Sequence, residues 1–383
     1  MPLKFELTLP EKIKELLSVP DLTMEDVDPN NIIYKLFASL LTRLELNGFS
    51  SIEVFRGNPI VPADDNFNSL RFTPGNPGRS STYTRYVDGN HVLRTHTSAQ
   101  IPEIFREFKK HADDIRFKTI VMPGLVYRRD VIDPRHLDVF HQVDVWTLQN
   151  DATVGHPASR ADLLRLVETV FSVMCPNATM KVLEAQHPYT VDGIEVYAVS
   201  SDGTEEYEVL EAGLIHPDVL RITGLDPSKY SGLALGMGLE RLIMARKKLP
   251  DIRLIRSADP RIQKQMQTFE VFKTVSNMPA ISRDVSFCIK TGEREEDICE
   301  RIRDAFDAAK DMLENVELLN RVAFDKLPEI ARTRLGAQQG QDNVLVRVTL
   351  RHPDRTLTKQ DATDLYKTAY RKLHEGSGWD YAL

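Results

Sequence analysis

The chain has 383 residues, 42% of them hydrophobic and 27% charged, which describes an ordinary globular protein of more than one core and excludes a disordered or fibrous chain. No apolar run reaches membrane-spanning length, and the scattered Cys175, Cys288 and Cys299 exclude a disulfide framework or a paired-cysteine zinc site, so they read as reduced thiols. The net charge of −7 argues against nucleic acid as a partner of the whole surface, yet from Ala331 onward nine Lys and Arg stand against six Asp and Glu, a local +3 that leaves −10 on the rest.

Residues 1–30 read as a polar N-terminal extension, with a short helix over Glu11–Leu17 behind Pro10. The opening residues show neither a signal peptide nor an Arg- and Ser-rich presequence. Asn31–Asn47 is predicted as an amphipathic helix with Gly48 in its C-cap region, and Gly48–Phe55 as a strand. Leu93-Arg-Thr-His-Thr-Ser98 crowds hydrogen-bonding groups into one short stretch. His96 and Ser98 would project together from extended backbone, and a helix is expected from Ile101. Val121–Asp130 and Val139–Trp146 read as two strands joined by a polar loop. Alternation puts Val126, Arg128 and Asp130 on one face of the first strand, and Phe140, Gln142, Asp144 and Trp146 on one face of the second. Such a mixed-charge group is either a cross-strand ion pair or the floor of a ligand site.

A helix follows over Ala158–Met174, then strands over Met180–Ala185 and Gly193–Val199, with His187-Pro-Tyr-Thr190 between them. Gly236-Met-Gly-Leu-Glu-Arg241 is a small-residue strand or turn feeding a helix that Pro250 ends. A guanidinium one turn into a helix, beside glycines, suits a phosphate, although the same pattern also serves plain packing. Past Arg261 the composition changes, and a linker is expected over 266–276, with a connecting helix near Gln263–Glu270. Beyond it, Ser282–Ile289 (strand), Glu296–Asn315 (helix), Val316–Phe324 and Val344–Leu350 (strands) and Lys359–His374 (helix) give the order of a ferredoxin-like fold, with Tyr381–Leu383 available as its last strand.

Gly236–Arg241 resembles the third signature motif of class II aminoacyl-tRNA synthetases, and Leu249–Arg253 with Ser257–Pro260 narrows the resemblance to their phenylalanyl branch, single-chain organelle type. Tyr127-Arg-Arg-Asp130, a loop with His136, and Phe140-His-Gln-Val-Asp144 are similar to the second motif. Asn31–Phe55, with Pro59 beyond, resembles the first. Arg94–Ser98, His187–Thr190, Glu208–Pro217 and Arg351–Leu357 resemble further family segments. The resemblance implies an α+β fold: a class II antiparallel sheet flanked by helices over 31–265, and a ferredoxin-like anticodon-binding domain over 277–383. It implies ATP and Mg²⁺, a tRNA partner, a small-molecule amino acid substrate, no membrane, a monomer or homodimer, and the mitochondrial matrix or the cytoplasm.

The same resemblance gives the residues roles. Arg128 and Arg241 would be catalytic, on the α- and γ-phosphates. Asp130, His136, Phe140, Glu208 and Gly238 would complete the ATP site. His96, Ser98, Gln100, Gln142 and Asp144 would join Arg128 around the amino acid head group. His187, Tyr189, Ala212, Gly213, Ala234 and Gly236 would wall its side chain. Glu208 or Glu211 would touch the metal, and Arg347, Arg351, Arg355 and Lys359 would face tRNA. Here the chain departs from the family: His187 and Tyr189 stand where two phenylalanines are usual, Asp144 where Glu is usual, and Asn76 where His is usual. Phenylalanine activation is therefore expected beside two alternatives, a relative that activates a more polar amino acid and a non-catalytic RNA-binding relative.

Overall fold

The computed structural model describes residues 6–275, 278–352 and 355–378. The chain divides into two compact units. The first comprises the chain up to Arg128, then Val139–Leu249 and Met266–Val271; the second comprises Arg129–Asp138, Pro250–Gln265 and the chain from Phe272 onward.

In the first unit the helix Ile32–Leu46 forms because seven apolar side chains recur along one side, and six residues of the helix are buried. Asn31 caps its start by accepting from the Ile33 N–H. Gly48, at φ +80°, closes its end: Gly48 and Phe49 donate back to the carbonyls of Glu45 and Leu44, the double bond of a Schellman turn. Pro10–Leu17 is helical, and buried Leu16 packs with Leu93, Leu125, Tyr127 and Val139, so the N-terminal stretch shares the core of this unit.

The strands in chain order are β1 (Ile52–Val54), β2 (Ile60–Pro62), β3 (His91–Leu93), β4 (Phe117–Tyr127), β5 (Val139–Asn150), β6 (Thr179–Glu184), β7 (Thr190–Val199), β8 (Glu206–Ile215), β9 (Tyr230–Ser231) and β10 (Leu233–Gly238). β2 and β3 pair with each other, and the rest form one sheet in the order β1-β4-β5-β10-β8-β7-β6, with β9 beside β5. Only β1–β4 is parallel; every other pairing in this sheet is antiparallel. The helices Arg160–Met174 and Leu239–Lys247 accompany it. The first starts on a Ser159–Asp162 capping box.

The second unit contains β11 (Ile281–Lys290), β12 (Leu313–Ala323) and β13 (Gln341–Leu350) in the sheet order β11-β13-β12, with helices Glu295–Phe306 and Lys359–Leu373. This is the β-α-β-β-α order expected of a ferredoxin-like half. Phe287, Ile302, Val346 and Tyr366 lie in its core. The expected helix Glu296–Asn315 ends at Phe306, because Asp307 takes φ +48° and the chain re-enters a strand at Leu313. The connecting helix near 263–270 is shorter and earlier, Pro260–Gln265. A further helix, Glu329–Leu335, carries no apolar stripe beyond Leu335 and left little signal in the sequence. The expected last strand, Tyr381–Leu383, lies outside the described residues.

Candidate active site

The site is laid out by strand register. On β5, Gln142 faces Gly238 of β10, Asp144 faces Gly236, and Trp146 faces Ala234. On the far side of β10, Gly236 faces Glu211 and Ala234 faces Gly213 of β8. Directly opposed residues share a face, so the polar row of β5, the small residues of β10 and the carboxylate of β8 form one surface. The small residues have a steric reason. A Cβ on Gly236 would stand 3.1 Å from Asp144 Oδ1, and one on Gly213 would stand 2.6 Å from Thr190 Cβ. The pairing brings the two stretches singled out in the sequence, around Gln142 and around Gly236, side by side.

Around Asp144 the hydrogen bonds are dense. Thr97 Oγ1 donates to Asp144 Oδ1 at 2.6 Å, and Trp146 Nε1 donates to Oδ2 at 3.3 Å. The Thr97 main-chain N–H donates to Gln142 Oε1 at 3.3 Å. Burial pushes the Asp144 carboxyl up to about 6 against these bonds, which pull it down. His96 Nε2 lies 3.0 Å from the Asn66 carbonyl, which only accepts, so the ring proton sits there. Nδ1 then accepts from Ser98 Oγ at 2.9 Å, leaving the Ser98 oxygen lone pairs free to accept in turn. Burial, then the charge of Arg128, push His96 down to about 3, so it is neutral at physiological pH. Its ring lies flat on Phe72, 5.4 Å between centroids.

Arg128 leaves the end of β4. Its Nε donates to the Thr95 carbonyl at 2.8 Å, and its guanidinium stands 5.0 Å from the Phe140 ring and 5.7 Å from Tyr83. Two rings and one carbonyl hold it while the outer nitrogens remain for a ligand. Gly238 lies beside Phe140 as well. Arg241 occupies the first turn of the helix Leu239–Lys247, exposed, and its positive charge opposes the upward shift of Glu208. Behind it, Glu240 is fully buried and accepts from both the main-chain N–H of His141 and its ring Nδ1, the latter at 2.6 Å. Leu22 donates its main-chain N–H to His141 Nε2, so the ring proton must be on Nδ1. Glu240 thus ties the start of this helix to β5. The sequence motifs contain both Glu240 and Thr97 but give neither a role, because neither residue type is distinctive without its partner.

The side wall comes from the turn before β7. Tyr189 stacks on Trp146 (5.8 Å, 21°) and on His187 (6.3 Å, 27°). Arg71 holds this turn by donating to the Pro188 carbonyl at 2.7 Å. Strand parity alone would put Glu208 and Glu211 on opposite faces. A register shift between β7 and β8 pairs Tyr197 with Glu208 but Val196 with Leu210 and Glu195 with Glu211, so this bulge returns Glu208 to the face of Glu211. Burial and mutual repulsion raise Glu208, while Arg241 opposes the rise; burial, then Glu195, raise Glu211. Clustered hard oxygens held against repulsion suit Mg²⁺.

Ala212 and Gln100 are not brought to this surface. Ala212 pairs with Leu235 and Ile194, on the opposite face from Gly213. Gln100 spends both ends on backbone, accepting from the Gly57 N–H and donating to the Thr97 carbonyl. β4 ends at Tyr127, so the alternation that placed Asp130 beside Arg128 stops before it. Asp130 and His136 group with the second unit, where Arg303 donates to the Asp130 carbonyl and His136 Nδ1 lies 2.8 Å from Asp133. In that unit Arg347 forks onto Asp284, Arg351 pairs with Glu314, and Arg355 pairs with Asp361. Lys359 opens the last helix. Asn76, the replaced histidine, caps its own turn by accepting from the Gly78 N–H.

Residues 24–297 match the model of the tRNA synthetases class II core domain (F). The chain is 28% identical to the mitochondrial phenylalanine–tRNA ligase of Saccharomyces cerevisiae, over 92% of this chain and 87% of that protein. It is 30% identical to the chloroplastic/mitochondrial phenylalanine–tRNA ligase of Arabidopsis thaliana, over 88% of this chain and 72% of the relative. The phenylalanine–tRNA ligase alpha subunit of Prochlorococcus marinus is 36% identical over 52% of this chain and 56% of that subunit.

Proposed function

Since the chain belongs to the class II tRNA synthetases, in their phenylalanine–tRNA ligase branch, we propose that it activates phenylalanine with ATP and transfers it to tRNA(Phe). The observation that carries this reading is the register that sets Gln142 and Asp144 against Gly238 and Gly236, with Arg128 at one end and Arg241 on the helix that follows.

The amino acid is held by its ammonium, which donates to Asp144, Gln142 and the free lone pairs of Ser98. His96 fixes the Ser98 hydroxyl and, being neutral, does not repel the ammonium. The carboxylate attacks the α-phosphorus of ATP in line, and pyrophosphate leaves. Arg128 receives the α-phosphate and carboxylate oxygens, and Arg241 receives the γ-phosphate. The acceleration is positioning and charge neutralisation, with no general base. Glu208 and Glu211 would hold Mg²⁺, which would neutralise the remaining phosphate charge. The terminal ribose hydroxyl of tRNA then attacks the acyl carbon and the AMP oxygen leaves.

We assign residues 31–265 to catalysis and 277–383 to anticodon binding, with Arg347, Arg351, Arg355 and Lys359 as the candidate tRNA contacts. The organellar relatives favour an organelle as the site of action. No helix among the described residues is long and apolar enough to cross a membrane. The polar tips of His187 and Tyr189 favour a second reading, a more polar amino acid in the same chemistry. Amino-acid-dependent ATP–pyrophosphate exchange separates the two. Exchange with phenylalanine that is lost in Arg128→Ala supports the first reading. Exchange only with another amino acid supports the second, and exchange with none overturns both.

A further inference from the structure

His187, Glu195 and Glu211 converge where β7 meets β8. One ligand atom from each lies within 4.8 Å of the others. His187 Nε2 is 3.5 Å from Glu211 Oε2, its side chain is only 9% exposed, and that nitrogen has no hydrogen-bond partner. The opposite ring nitrogen, Nδ1, lies 3.3 Å from Thr190 Oγ1. With the ring proton donated to Thr190, a bare lone pair faces two carboxylates, an arrangement with nothing to share. Were the proton on Nε2, a charge-assisted bond would close to about 2.8 Å, which the 3.5 Å separation does not meet. A metal about 2.1 Å from each ligand makes a tetrahedral ligand–ligand edge of about 3.4 Å, close to the distance observed.

The surroundings hold two of the three ligands in place. Tyr197 donates its hydroxyl to Glu195 Oε2 at 3.0 Å, and Thr190 orients the imidazole. Gly193 leaves room for the ring, since a Cβ there would sit 2.9 Å from Nδ1. A ligating histidine oriented through its other nitrogen, with a ligating carboxylate itself hydrogen-bonded as Glu195 is, is the usual outer arrangement of a metal centre. One imidazole with two carboxylates selects a transition metal over Mg²⁺, which prefers oxygen alone and octahedral geometry.

We propose that His187, Glu195 and Glu211 form a binding site for a divalent transition metal of the zinc class, with its fourth position open to water or a substrate group. The site shares Glu211 with the carboxylate pair suited to Mg²⁺, differs from it by His187 and Glu195, and goes beyond the proposed activity. Its test needs no turnover, so it stands or falls independently of that activity.

The full chain is stripped with a chelator and titrated with Zn²⁺ against a chromophoric competitor, with Mg²⁺ in excess, and its Co²⁺ absorption spectrum is recorded. One equivalent of Zn²⁺ is expected, undisplaced by Mg²⁺. The Co²⁺ spectrum should show tetrahedral d–d bands without thiolate charge transfer. His187→Phe should weaken Zn²⁺ binding at least ~100-fold, and Glu195→Gln should weaken it in the same direction. No Zn²⁺ binding, unchanged affinity in His187→Phe, or a thiolate band would overturn the site. Should both variants fail to fold, imidazole NMR of the unsubstituted chain decides. A His187 resonance that Zn²⁺ shifts supports the site, and one that only titrates with pH, as an imidazolium paired with Glu211, overturns it.

Discussion

Asp144 carries its charge at a cost in stability. Its folded value, about 6, lies above the ordinary 3.8 because burial disfavours the carboxylate. Below pH ~4 both folded and unfolded states hold the proton and nothing is lost. Between about pH 4 and 6 the unfolded state releases it first, so stability falls as pH rises, and above 6 the full penalty applies. Asp144→Asn removes that slope, and in denaturant titrations it should raise stability at pH 7 by up to about 3 kcal/mol. The same change removes the negative charge opposite the ammonium, so activation should drop while the fold gains. In the parent chain activation should decline below pH ~6 as Asp144 protonates; a rate flat to pH 5 would contradict its role. Arg241 is the converse case. It is exposed, so Arg241→Ala should leave the melting temperature unchanged and reduce kcat/KM for ATP by roughly 10²–10³, read by exchange kinetics. Both residues were legible in the sequence by chemical type. The roles of Thr97 and Glu240 were not, because a threonine or glutamate acquires its meaning only from the partner that folding supplies.

At the scale of elements, β5 and the helix after β10 are coupled through His141 and Glu240, neither of which faces the ligand surface. Glu240→Ala removes the acceptor of two His141 donors. It should cost ~2–4 kcal/mol in chemical denaturation, with Glu240→Gln recovering part. If Glu240→Ala unfolds at the parent midpoint, the tie is not structural. Gly213→Ala is expected to destabilise by ~1–3 kcal/mol through the clash with Thr190, whereas Ala212, on the other face, should be insensitive to pocket ligands. These element-level facts define what sequence reading reaches. Helix Ile32–Leu46 and hairpin β4–β5 were legible because their periodicity is strong and their caps are ordinary. The common face of Glu208 and Glu211 was not legible from alternation, because one bulge reverses parity and leaves no trace in residue type. The stop of β4 at Tyr127, ahead of Arg128 and Asp130, is a similar case.

On the scale of the whole molecule, the order of motifs made the class II sheet and the ferredoxin-like order readable from the chain. Compactness was less readable, since Arg129–Asp138 and Pro250–Gln265 group with the second unit although they precede the expected linker. The charge asymmetry seen in the sequence is also tempered. Arg347 and Arg355 are exposed but engaged with Asp284 and Asp361, so a phosphate must compete for them. Arg347→Ala should therefore reduce the salt slope of tRNA binding by about one or less, and Asp284→Ala should tighten binding at low salt. The most direct measurement is charging itself: the purified chain, ATP, Mg²⁺, labelled phenylalanine and tRNA(Phe), with the product resolved on acid gels. Phenylalanine esterified to the terminal ribose, dependent on ATP and lost in Arg128→Ala, is the predicted result. A chain that leaves tRNA(Phe) uncharged, or esterifies it only with another amino acid, contradicts the account.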